Sequence, residues 1–306
     1  MQSFAFAIIY HLIWLFSKLP MRILYILSDF FFLIIYYLIK YRRKVVLQNI
    51  SYAFPEKTEK EKKQIAKQFF KHFADLFVES IKSFSISKNE VLKRYKYKNL
   101  ELINEFVQEG RSIALVGAHQ ANWEWSLNLP LLFDVNVFCA YKKLKNEFFE
   151  KMLKDVREKF GGIGIKTHRA VKRIFYNHTN NIQGIYILLS DQSPLVERTL
   201  YWTEFFGVKV PVHSGPEILA KKFDLVFLNY TTKKIKRGYY ETEFELITDN
   251  PKKYKNYEIT KKYIQLTEKK IKEQPQFYLW SHNRFKHQHR FEEWQNMQIA
   301  KQQTKK

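Results

Sequence analysis

Beyond residue 110 the chain alternates short apolar runs with stretches of helical periodicity, and that alternation limits the fold more than any other feature. It is the pattern of strands separated by crossovers. Strands are predicted over residues 112–117, 135–140, 182–189 and 225–230. Helices are predicted over 147–160 and 170–177, with Gly161 and Gly162 stopping the first. After Arg237 the alternation in YYETEFELI predicts an antiparallel addition at the sheet edge, residues 250–274 read as a lysine-rich helix, and KQQTKK reads as a frayed tail. The expected fold class is therefore α/β, a mostly parallel open sheet flanked by helices.

The first part of the chain is different. Residues 4–16 (FAFAIIYHLIWLF) and 23–39 (ILYILSDFFFLIIYYLI) are nearly all apolar and are separated by Lys18, Pro20 and Arg22. A bilayer crossing needs about 20 apolar residues. Ser28 and Asp29 interrupt the second run, so a shallow hairpin or a tilted anchor fits as well as a crossing, and a helical pair packed on the globular domain stays open. The start MQSFAF lacks the basic region and cleavage site of a signal peptide. Lys40, Arg42, Arg43 and Lys44 are expected on the cytoplasmic side, facing anionic headgroups. Residues 58–84 then predict an amphipathic helix, opened by a Thr58/Glu61 capping box, with Ile65, Phe69, Phe73, Phe77 and Ile81 as its core stripe. The expected division is a membrane-associated segment over 1–45, one globular domain over 46–295 and a basic tail over 296–306.

A formal charge of +22, from 52 Lys+Arg against 30 Asp+Glu, predicts attraction to an anionic partner without choosing among nucleic acid, phospholipid, phosphorylated substrate and acidic carrier protein. The single cysteine, Cys139, excludes a disulfide within the chain, and its apolar neighbours predict a buried thiol.

The stretch GAHQANWE (117–124) directly follows the first predicted strand. Ligands bind beyond the carboxyl ends of strands in open α/β sheets. His119, the segment 141–143, Asp191 with Gln192, and Tyr230 with Thr231 should therefore converge on one edge. A histidine there can take a proton from a hydroxyl near neutral pH if a neighbour fixes its tautomer. Glu124 is the expected neighbour, in the first turn of a helix capped by Asn122, where the helix dipole favours a carboxylate. The pair would act as a Ser-His-Asp triad acts, with the substrate's hydroxyl in place of serine. The H-x4-E spacing by itself is a weak signal.

Other stretches add to it. GAHQANWE resembles the H-x4-D/E block of glycerolipid-type acyltransferases, and in particular the His-x-Gly-Asn-Trp-Glu signature of the bacterial lipid A late acyltransferases. YRRKVVLQNISYAFPEKTEKE, SDQSPLVERTLYWTEFFGVKVPVHSGPEILAKKF and QFYLWSHNRFK are similar to further blocks of that family, in the same order, so that the resemblance covers roughly residues 22–290. It implies transfer of a fatty acyl group from acyl carrier protein, or a similar thioester, to a hydroxyl of a hydroxyacyl chain on a lipid A precursor. It also implies an enzyme at the cytoplasmic face of the bacterial inner membrane, without cofactor or metal. Under it, His119 is the general base and Glu124 its orienting partner, while Asn122 shapes the turn. Lys142, Lys143, Asn146 and Arg157 are candidates for holding phosphate or the thioester oxyanion, and Asp191 and Gln192 for lining the site. The chain departs from the family at Gln120 and Ala121, a pair that commonly ends in glycine, and at Val212 and His213.

Competing readings have less support. His282, His287 and His289 lack a carboxylate or cysteine at ligand spacing in a basic segment, which argues against zinc. Gly161, Gly162 and Gly164 form no nucleotide-binding motif, and Ser214 no nucleophile elbow. A membrane-tethered basic module that binds nucleic acid or anionic lipid without chemistry is the alternative, supported by the charge and by 17% aromatic residues. The aromatics gather in the apolar runs and helix stripes, which disfavours nucleic acid. A related acyltransferase acting on another glycolipid or an aminolipid is a second alternative.

Overall fold

The computed structural model describes residues 2–303, so residues 304–306 of the expected frayed tail lie outside the described residues. A seven-stranded sheet runs in the order β1-β9-β8-β2-β5-β3-β4. Its strands are β1 (Tyr95–Tyr97), β2 (Ile113–Gly117), β3 (Asn136–Tyr141), β4 (Ile163–Lys166), β5 (Gly184–Leu189), β8 (Val226–Lys236) and β9 (Tyr239–Thr248). All neighbours are parallel except β8 and β9. The hairpin of β6 (Tyr201–Phe205) and β7 (Val208–Val212) stands apart.

The expected parallel sheet is present, and the differences have local causes. The antiparallel strand β9 is not the edge, because three-residue β1 pairs outside it. Strand β8 continues past Tyr230 to Lys236 because β9 offers it a partner beyond the point where β2 ends. The expected helix over 250–274 starts only at Glu258, after a turn of 3₁₀ helix set by Pro251. This helix, α10 (Glu258–Glu273), is later followed by α11 (Phe291–Gln303).

Alternating side chains of β2 serve two cores. Ala114 and Val116 face a layer formed by α3 (Arg43–Ala53), α4 (Glu59–Lys82), α8 (Ala170–Thr179), α9 (Gly215–Phe223) and α10. Ile113 and Leu115 face Ile103 and Phe106 of α6 (Glu101–Gln108). Two further helices, α5 (Lys88–Arg94) and α7 (Glu147–Glu158), complete the flanks.

Helix α4 begins with the predicted capping box, the Thr58 hydroxyl accepting from the Glu61 N–H while Glu61 accepts from the Thr58 N–H. Its stripe is only partly core. A strict four-residue spacing advances about 40° per step on a 3.6-residue helix, so Ile65 and Phe69 are buried while Phe77 has rotated out to 53% exposure. The inward positions on the second half of α4 mix Ala74, Leu76 and Val78 with polar side chains, His72, Asp75 and Glu79, all of them buried.

The N-terminal runs form α1 (Gln2–Lys18) and α2 (Met21–Leu33), broken at Pro20 and extended by a π-helical turn over Ile34–Leu38. Met21–Leu38 is long and apolar enough to cross a membrane. One face of α2 nevertheless packs on the domain through Leu24, Ser28 and Phe32. The opposite face presents Ile26 at 68% and Phe30 at 64% exposure, and α1 adds exposed Leu12, Trp14 and Leu15.

Candidate active site

The register of β2 against β5 builds the site. Gly117 pairs with Leu189, so His119 and Asp191 each stand two residues past paired ends of adjacent parallel strands. Gly117 is required there by crowding, since a Cβ would lie 2.4 Å from the Tyr230 ring. His119 Nδ1 lies 2.7 Å from Asp191 Oδ1, and the His119 backbone N–H donates to Asp191 Oδ2 at 3.2 Å. The other ring nitrogen, Nε2, has the Gln192 amide 3.4 Å away, and the Trp123 ring packs edge-on at 5.2 Å.

This geometry corrects one expectation. The group that accepts the Nδ1 hydrogen bond is Asp191, not Glu124. Glu124 is held in a two-point pair by Arg157, whose Nη2 and Nε donate at 2.9 and 3.2 Å. The cause lies in the turn. Ala121 takes a left-handed conformation (φ 52°), and Asn122 Oδ1 accepts from the Trp125 N–H at 3.0 Å, opening the 3₁₀ helix Trp125–Leu131. Glu124 therefore leaves the turn toward α7 and its Arg157. It still acts on the ring through space. Burial works against the charged imidazole, but Asp191 and then Glu124 outweigh it and hold His119 above its ordinary value. Burial likewise raises the Asp191 carboxyl, yet contact with His119 and backbone N–H groups brings it below the usual range.

The remaining expected site residues separate. Arg157 sits by the site over the Tyr141 ring, with Nη1 making no hydrogen bond among the described residues. Lys142 and Lys143 follow β3 as expected and are exposed. Asn146 is also exposed, but its Oδ1 caps α7 by accepting from the Phe148 and Phe149 N–H groups, which leaves it a helix-starting role. Tyr230 reaches the level of Gly117, although inside a strand and not at its end. Cys139 is buried, and burial pushes its thiol up to about 12.

Segments far apart in sequence meet around His119. The Leu279 N–H donates to the His119 carbonyl at 3.0 Å and the Ala121 N–H to the Phe277 carbonyl at 2.8 Å, so the 276–286 block straps the His119 loop. That strap is held by the 41–61 block, where Asn49 Nδ2 donates to the carbonyls of Trp280 and His282 at 2.7 Å. His282 Nε2 accepts from the Ser193 N–H at 2.9 Å, fixing the loop after Asp191, and burial lowers that imidazole to about 4. His282 is thus a neutral strut. Among the described residues no group of three His, Cys, Asp or Glu side chains is arranged to hold a metal ion.

The sequence profile described as bacterial lipid A biosynthesis acyltransferase matches residues 2–287, nearly the whole chain. The chain belongs to the bacterial lipid A biosynthesis acyltransferase family. A curated relative, lipid A biosynthesis acyltransferase 2 of Shigella flexneri, is 23% identical over 159 residues, covering 51% of this chain and 49% of that protein. The match therefore spans about half the length of that relative. Within the lipid A acyltransferase fold, the segments that the sequence linked to the family are those that build and brace the His119 loop.

Proposed function

We propose that the protein is an O-acyltransferase that moves a fatty acyl group from an acyl carrier protein thioester, or a similar thioester, to a hydroxyl on a hydroxyacyl chain of a lipid A precursor. The observation that carries this reading is the His119 ring, with Nδ1 bonded to buried Asp191 and Nε2 facing only the long 3.4 Å contact of the Gln192 amide, which a substrate hydroxyl would displace. Donation from Nδ1 to Asp191 leaves a lone pair on Nε2. As the acceptor oxygen attacks the thioester carbonyl carbon, Nε2 takes its proton and Asp191 stabilises the imidazolium. Arg157, braced by Glu124, has Nη1 free to donate to the oxyanion. The C–S bond then breaks, His119 returns the proton to sulfur, and ester and thiol leave. No external base, metal or redox partner is needed for this balance.

The setting fits the substrates. The exposed faces of α1 and α2 would lie in the cytoplasmic leaflet of the inner membrane, in its plane, because Leu24 and Phe32 of α2 are committed to the protein core. Lys142 and Lys143 stand near the site edge to meet phosphates or an acidic carrier.

The test is detergent-solubilised protein incubated with acyl carrier thioester and a hydroxyacylated glucosamine lipid. Ester is expected from the parent, with a loss of about 100-fold or more in His119→Ala. Equal turnover in both would remove His119 from the mechanism. Absence of product from the parent, with salt-sensitive retention on nucleic acid or anionic vesicles, would favour a binding module.

A further inference from the structure

Helix α4 carries a buried polar stripe that the chemistry above does not use. Glu79 is fully buried, and its carboxylate accepts from Tyr25 of α2 at 2.8 Å, from Tyr240 of β9 at 2.7 Å and from Asn122 Nδ2 at 2.6 Å. One turn on, the Ser83 hydroxyl accepts from the Trp125 indole at 3.0 Å. One turn back, Asp75 accepts from Ser28 of α2 at 2.8 Å and from Arg237, which also pairs with Asp29. One side of the stripe therefore grips the lipid-facing helix, and the other grips the turn that carries His119.

Burying a carboxylate is costly unless its oxygens are all engaged, and burying an aliphatic side chain at this position would avoid that cost. What the carboxylate provides is direction. Asn122 Oδ1 is already occupied by the Trp125 N–H, so only its amide N–H₂ can face α4, and Glu79 supplies the acceptor that this orientation demands. Together the two bonds fix both ends of the Asn122 side chain, one residue after left-handed Ala121 and three after His119.

We infer that Glu79 is a positioning residue, which sets the His119 turn through Asn122 and ties that turn to the seating of α2 through Tyr25. This rests on the acyl-transfer reading of His119. Glu79 touches no reacting atom in this scheme; it acts by fixing the turn's geometry.

A reciprocal exchange tests it. In Glu79→Gln one of the two acceptor oxygens becomes N–H₂, so either the Asn122 N–H₂ or the Tyr25 hydroxyl loses its acceptor, and in Asn122→Asp two carboxylates meet. In the double variant donor and acceptor match again with direction exchanged. Each single variant should lower kcat by about 10-fold or more with the acceptor KM within about threefold. The double should return to within about threefold of the parent. Tyr25→Phe, which keeps the Glu79–Asn122 bond, should lower kcat by about threefold or more with KM unchanged. The ring nitrogen resonances of His119 supply a readout independent of product. They should shift in each single variant and return in the double.

A double variant no better than the worse single, or kcat per folded molecule unchanged in the singles, overturns the inference. If a single variant does not fold, the double and Tyr25→Phe decide: recovery in the first or loss in the second supports it, and neither effect sinks it. A parent that forms no ester defeats the acyl-transfer reading instead, and the His119 resonances then still decide whether Glu79 sets the turn.

Discussion

His119 Nδ1 and Asp191 Oδ1 are 2.7 Å apart, joining the ends of two adjacent parallel strands. Asp191→Asn should therefore cost more than a solvent-exposed carboxylate would, on the order of 10²- to 10⁴-fold in kcat, because an amide cannot balance an imidazolium in a buried site. Glu124→Gln should act differently, by loosening Arg157. Its expected signature is a kcat loss that Arg157→Lys reproduces and that the double variant does not deepen. Steady-state kinetics on the four proteins would check this, and additive losses would dissolve the pair.

Stability and rate should run in opposite directions with pH. His119 is held above 6.5 by Asp191 and Glu124 against the effect of burial, so its stabilising charge is fully present below pH 6.5 and is lost as pH rises through the folded-state value. The proposed reaction needs the neutral ring. The acid limb of kcat/KM should thus have its midpoint above 6.5 and move down in Asp191→Asn. A limb that stays in place would detach Asp191 from the titration.

Gly117→Ala should destabilise by about 1–3 kcal/mol, because its Cβ would sit inside contact distance of the buried Tyr230 ring, which must shift to make room. Thermal or denaturant unfolding would measure it, and an unchanged midpoint would mean the ring moves freely.

Ala121→Gly should be tolerated or stabilising. The left-handed backbone at φ 52° costs a side-chain-bearing residue about 1–2 kcal/mol, while the lost methyl forfeits only about 0.8 kcal/mol of burial. A fall in Tm beyond what that methyl explains would show that alanine packing, and not backbone strain, dominates there.

Charges placed on the outer face of α2 should release the protein from lipid without unfolding it. Ile26→Glu and Phe30→Glu alter side chains more than 60% exposed, so their Tm should hold while sedimentation with anionic vesicles falls. Retention unchanged in the double variant would move the lipid contact elsewhere.

How much of this could be read from residues alone depended on range. Strands β2, β3, β5 and the start of β8 were legible because their apolar runs are short and bounded, and the α4 cap because its two partners are three residues apart. Strands β1, β4 and β6 were not. They run three to five residues and, unlike the equally short β2, are interrupted by polar residues or glycine, so no apolar run marks them. The position of His119 at the end of β2 was legible. Its partner was not, since local spacing pointed to Glu124 and only the β2–β5 register brings Asp191 beside it across 72 positions. Glu79 escaped notice for a related reason: the nearby phenylalanines suggested an apolar stripe, and a buried carboxylate declares itself only through distant donors.

The polar seam between α2 and α4 makes the N-terminal helices part of the folded body and not a detachable leash. Trimming them to obtain a freely soluble enzyme would strip Asp75 of Ser28 and Glu79 of Tyr25, and would uncover the Tyr36 ring's partner Phe70. Such a truncation would damage the wall behind His119 along with the apolar face that the proposed function lays against a bilayer.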